Sequence, residues 1–140
     1  MTALLSTPQH ARRLADAATV GGAAMATWSA AIHLHLWFQG YRHIPTIGPL
    51  FFAQGAVGVA IAAAAVAVRR GLTALAGAAF LAATSVGLLL SATVGLFNFH
   101  DGLDAPYAGL SLTVQLTGVV LFSLAAVGRH GWHAGRLDLR

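Results

Sequence analysis

Four stretches of about twenty mostly apolar residues divide this chain. A run of that length is what an α-helix needs to cross the hydrocarbon core of a bilayer. The stretches lie at about 17–38, 47–68, 72–99 and 107–127. Charge reinforces the point: only 9% of the residues are charged, where a soluble domain carries about 25%. Four acids and eight arginines cannot clothe a globule of 140 residues in a solvated surface. The sequence therefore predicts an all-α integral membrane protein with one four-helix transmembrane domain over 17–127. A cytoplasmic N-terminal lead at 1–16 and a cytoplasmic tail at 128–140 complete it. Arg12 and Arg13 precede a run too long for the apolar centre of a signal peptide, about 7–15 residues.

The connections are short, which favours an antiparallel up-down-up-down bundle. "VRRGL" joins the second and third spans, with Gly71 suited to a left-handed helix cap. "HDGLDAP" joins the third and fourth, with Gly102 and Pro106 as breakers. Thr46 is placed to cap the second span, and Pro49 falls in its first turn, where a missing N–H is tolerated. Arg12, Arg13, Arg69, Arg70, Arg129, Arg136 and Arg140 then share one side, and Arg42 alone sits on the other with Asp101 and Asp104. Positive residues stay inside, so both termini are cytoplasmic and the chain is a multi-pass protein of the cytoplasmic membrane. The same rule accounts for the net charge of +4 without nucleic acid as a partner; the partner is the lipid bilayer. Small residues at every fourth position, Ala79, Ala83, Gly87, Ser91 and Gly95, predict a helix-contact ridge on the third span, with Gly22, Ala26 and Ala30 as a shorter one on the first.

Each span carries one polar side chain at a similar depth, roughly 8–12 Å from the outer boundary at 1.5 Å per residue. These are His33, Gln54, Ser91 and Gln115. Polar groups in hydrocarbon normally turn into the bundle and pair there. One reading is an interhelical hydrogen-bond layer; the other is a ligand site or proton path. His33 and His35 are about 200° apart around a helix, so only one of them faces inward. Above the layer stands a cap containing Trp37, Tyr41, Arg42, His43, Asn98, His100, Asp101, Asp104 and Tyr107. Trp37, Tyr41, Arg42 and Asn98 join the four layer residues as candidate ligand contacts, with Arg42 placed for an anionic headgroup or a quinone-like oxygen. His33, His35, His43, His100 and Asp101 also offer imidazole and oxygen donors of the kind that bind zinc, copper or iron, or ligate haem.

No GxSxG, HExxH, P-loop or GxGxxG motif is present, so hydrolase, zincin and nucleotide-binding readings lose their usual support. The absence of cysteine removes disulfides and thiolate sites. The leading expectation is a non-enzymatic accessory, assembly or small-ligand-binding subunit, within a larger membrane complex or a homo-oligomer. One alternative is a metal- or haem-binding redox protein using the outer histidines. The other is an oligomeric transporter of small solutes or protons. The segments "HLHLWFQGYRHIPTIGPLFFAQ" and "VGLFNFHDG" resemble a group of small uncharacterised four-helix integral membrane proteins of actinobacteria. That resemblance implies the architecture and carries no functional residues with it.

Overall fold

The computed structural model describes residues 7–134, which form four long helices. They are α1 (Thr7–Gln39), α2 (Ile47–Val68), α3 (Gly71–Thr93) and α4 (Ala108–Ala134), with one 3₁₀ turn at Tyr41–His43 between α1 and α2. Three segments are long and apolar enough to cross a membrane: Ile47–Val68, Gly71–Thr93 and Ala108–Arg129. α1 is not among them. It has the length, 33 residues, but Thr27, Ser29, His33 and His35 dilute its apolar run. Its position accounts for half of that composition: α1 packs extensively on both α2 and α4, which buries Ser29 and His33, while Thr27 and His35 stay exposed.

Several boundaries differ from expectation, each for a local reason. α1 begins at Thr7, inside the segment expected to be a lead, and α4 runs past 127 to Ala134. α3 stops at Thr93 instead of 99. Gly95 adopts φ +84, and Phe97 and Asn98 follow at φ 52 and 61. The chain reverses there, and Leu96 and Phe99 exchange backbone hydrogen bonds of 2.7 and 2.9 Å. Between α2 and α3 the left-handed residue is Arg69, not Gly71, which already belongs to α3. The connection is only two residues long, so the cap falls two residues before the glycine. Arg70 then caps the start of α3, with its N–H donating to Thr73 Oγ1 at 3.2 Å. Thr46 does precede α2, but its side chain makes no capping bond. Backbone groups hold that start instead: Gly48 N–H donates to the Ile44 carbonyl at 2.9 Å. A Cβ on Gly48 would lie 2.6 Å from the Arg42 carbonyl oxygen, so only glycine admits this approach.

The helices pack in the spatial order α2, α1, α4, α3, and the ends of that series, α2 and α3, touch far less than the other neighbours. Phe122 of α4 is fully buried. Its ring lies against Gly22 of α1 and Gly77 of α3, where an added Cβ would come within 2.7 and 2.6 Å of ring carbons. Leu81, Ala26, Ala74 and Ala125 complete this packed centre. The short ridge on α1 is buried at Gly22, Ala26 and Ala30. The ridge expected on α3 is not a contact within the chain. Ala79 and Ala83 are exposed, a Cβ on Gly87 would meet nothing within 4 Å, and Gly95 lies beyond the helix. α3 packs instead through Ala74, Gly77, Ala78, Leu81 and Ser85. Toward the N-terminal part of α1, Arg129 binds Asp16 at 2.7 Å and Thr19 Oγ1 at 3.0 Å, joining α1 to α4. Arg136 and Arg140 lie outside the described residues.

Candidate functional site

Where α2 and α3 part, at the end of the bundle bearing the 40–46 and 94–107 connections, lies a cavity of about 260 Å³. All four helices contribute to it, with His33 from α1, Gln54 from α2, Ser91 from α3 and Ser111 from α4. Tyr41, Phe99 and Asp101 from the connections close it above. Leu50 of α2 and Ala83 of α3 both line the cavity and are exposed. The cavity therefore opens sideways between these two helices. Its wall is mostly apolar with a few polar groups, the usual make-up of a small-molecule site.

The polar groups are held by specific bonds. His33 is 9% exposed, and its Nδ1 lies 2.8 Å from the Ser29 carbonyl. A carbonyl only accepts, so Nδ1 carries the proton, and in the neutral ring Nε2 is left as an acceptor. The ring rests on Phe51, with centroids 5.1 Å apart. Gln54 Nε2 donates to Thr84 Oγ1, which itself donates to the Phe80 carbonyl at 2.8 Å. With the hydroxyl proton thus committed, the amide orientation is fixed and Gln54 Oε1 remains unpaired. Ser91 Oγ is buried without a partner. Tyr41 donates to Asp101 Oδ2 at 2.6 Å and stacks on Phe51 at 4.9 Å. Burial, followed by the Asp101 bond and charge, pushes the Tyr41 phenol up to about 12. The phenol thus keeps its proton and holds the 94–107 connection over the cavity.

The residues expected as a single layer are arranged in two ways. His33, Gln54 and Ser91 line the cavity; Gln115 does not. Gln115 is fully buried and its side-chain amide lies 3.2 Å from Ser85 Oγ, whose proton goes to the Leu81 carbonyl at 3.0 Å. Thr84 and Ser85, adjacent on α3, therefore tie Gln54 of α2 and Gln115 of α4. Setting the end of α3 at 99 put Ser91, instead of Thr84 and Ser85, level with the glutamines. The sequence signal for the true partners was present: two neighbouring hydroxyls, Thr84 and Ser85, in the middle of an apolar run.

The expected cap is dispersed. His33 is buried and His35 exposed, as their spacing requires. His35 meets the Tyr107 ring edge-on at 5.4 Å. Trp37 packs on Phe38 and Phe52 and is not part of the cavity wall. Arg42 is exposed, donates from Nε to His43 Nε2 at 3.0 Å and does not line the cavity. Asn98 is exposed in the reversed turn after α3. Among the described residues no three His, Asp or Glu side chains gather as a metal-binding group. His33, His35, His43, His100 and Asp101 thus do not form one donor set.

Compared with protein-family models, curated proteins and solved structures, the chain finds no significant match.

Proposed function

We propose that this chain is a multi-pass, non-enzymatic protein of the cytoplasmic membrane that binds a small lipophilic ligand between its helices. On this reading all four helices span the bilayer up-down-up-down with both termini cytoplasmic. Arg12, Arg13, Arg69, Arg70 and Arg129 all sit at the opposite end from the cavity, in support of that orientation. Kinship with the small actinobacterial four-helix proteins belongs to the same proposal, as does membership of a larger membrane assembly or a homo-oligomer.

The observation that carries the reading is the cavity itself: about 260 Å³, apolar, open between α2 and α3, and supplied with unpaired polar atoms on His33, Gln54 and Ser91. Polar groups inside a membrane protein are costly unless paired or used. A sideways opening admits a ligand already dissolved in the bilayer. Toward the other end the bundle is closed by Leu81 and Phe122, neither with any exposed surface, which favours a blind binding site over a path through the chain.

The test is native mass spectrometry of the protein released gently from its own membrane, with the retained small molecules identified. A stoichiometric apolar ligand is expected, lost when Gly87→Leu fills the cavity. A folded protein that retains none, at any ligand load, would overturn the reading.

A further inference from the structure

The hydrogen-bond inventory of the cavity narrows its ligand to one chemical class, on the premise that the cavity is a binding site. His33 Nε2 has no proton to give, because the ring's one N–H is committed to the Ser29 carbonyl. The second carboxylate oxygen of Asp101 is likewise acceptor-only, its neighbour already accepting from the Tyr41 hydroxyl. Tyr41 Oη, having donated, has only lone pairs left. Gln54 Oε1 is an acceptor whose orientation the Thr84 bond dictates. Against these stand the second Gln54 N–H and the Ser91 and Ser111 hydroxyls, which both give and accept. A ligand that only accepts, such as a ketone, ether or ester, leaves the acceptor-only atoms unpaired in an apolar wall, and each such atom is expensive to strand. An anion would in addition face the Asp101 carboxylate. The cation expected to receive it, Arg42, turns away to His43.

The remaining surface suits a ring. Phe51, Tyr41 and Phe99 all line the cavity as one cluster of rings, Tyr41 stacked on Phe51 at 4.9 Å and meeting Phe99 edge-on at 5.8 Å. An apolar cavity of about 150 Å³ accepts benzene, so 260 Å³ has room for a substituted ring whose tail leaves through the gap between α2 and α3. We infer that the ligand is a lipophilic phenol: its one hydroxyl proton goes to His33 Nε2, the most deeply buried of these acceptors, its ring packs among Tyr41, Phe51 and Phe99, and its alkyl chain passes into the bilayer.

The experiment measures binding of four air-stable probes to the full-length protein in lipid nanodiscs, by thermal shift and by calorimetric titration. The probes are a para-alkylphenol, its methyl ether, the matching para-alkylbenzoate and the matching para-alkylcyclohexanol. The phenol should bind at least about tenfold more tightly than the ether, since a site that pairs a hydroxyl rejects analogues lacking it. It should also exceed the benzoate and the cyclohexanol. Equal or tighter binding of the ether overturns the donor assignment. A benzoate preference overturns it too, and assigns the site to the first turn of α4, which borders the cavity at Ala108 and favours anions. Equal binding of the cyclohexanol overturns the aromatic assignment. In each of these three outcomes the cavity still binds and only the ligand class fails. If no probe saturates a folded protein, the binding reading fails with it. His33→Leu should bring phenol and ether to similar affinity; the wild-type comparison decides the matter if this variant does not fold.

Discussion

Among the described residues, the Tyr41–Asp101 bond is the one side-chain hydrogen bond across the roof of the cavity, linking positions 60 residues apart. Tyr41→Phe removes it while keeping the ring on Phe51. The expected loss is about 1.5–3 kcal/mol, the range for hydrogen bonds to charged groups, read as a lower unfolding midpoint in a denaturing-detergent titration. The sign of the pH dependence follows from the phenol's position. Its folded-state value, about 12, lies above the ordinary 10.0, so the protonated form is favoured by folding. The stabilisation is complete below pH 10 and disappears as pH rises through about 12. In a Tyr107→Phe background, ultraviolet titration should place Tyr41 ionisation near the upper value. Asp101→Asn should bring it down only part of the way, because burial outranks the carboxylate as the cause. A midpoint near 10 in the parent would remove this tie from the account.

At the scale of helices, what the sequence revealed depends on whether a feature was local. The apolar runs are local, and α2 was legible to the residue at 47–68. The end of α3 was read past its own local stop: Gly95, at φ +84, caps the helix with its N–H on the Leu90 carbonyl at 2.9 Å, although the residues after it, up to Phe99, keep the run apolar. The spacing of His33 and His35 correctly separated one inward from one outward ring, since helical geometry alone decides it. Which small residues make contacts was not decidable from spacing. Two interleaved small-residue stripes exist on α3, and the choice rests on Phe122, a residue of another helix. That choice makes a contrast. Gly77→Ala and Gly22→Ala each press a methyl into the Phe122 ring and should cost about 1–3 kcal/mol as overpacking. Gly87→Ala points into open space and should be neutral or stabilising, by up to about 1 kcal/mol of helix propensity. Equal effects of the three in the same unfolding assay would contradict the packing of α4 between α1 and α3.

For the whole molecule, the arrangement makes α1 the decisive element. It is the most polar of the four helices, is not among the segments apolar enough to span by composition, and yet packs against both α2 and α4. A helix so placed can cross the bilayer only because its neighbours cover its polar face. If α1 lay at the surface instead, Arg12 near its start and Arg42 just past its end would share one compartment. If it spans, they are separated. The chain contains no cysteine, so single cysteines report topology without background. Pro45→Cys and Asp104→Cys, both at exposed positions in the cavity-end connections, should react with an impermeant maleimide on intact cells. Arg70→Cys, exposed in the turn between α2 and α3, and Arg13→Cys, exposed near the start of α1, should react only after permeabilisation. Labelling of Arg13→Cys from outside, with Arg70→Cys still protected, would place α1 on the outer surface. It would also expose His33 and the cavity floor to lipid headgroups and end the case for a protein-shielded site.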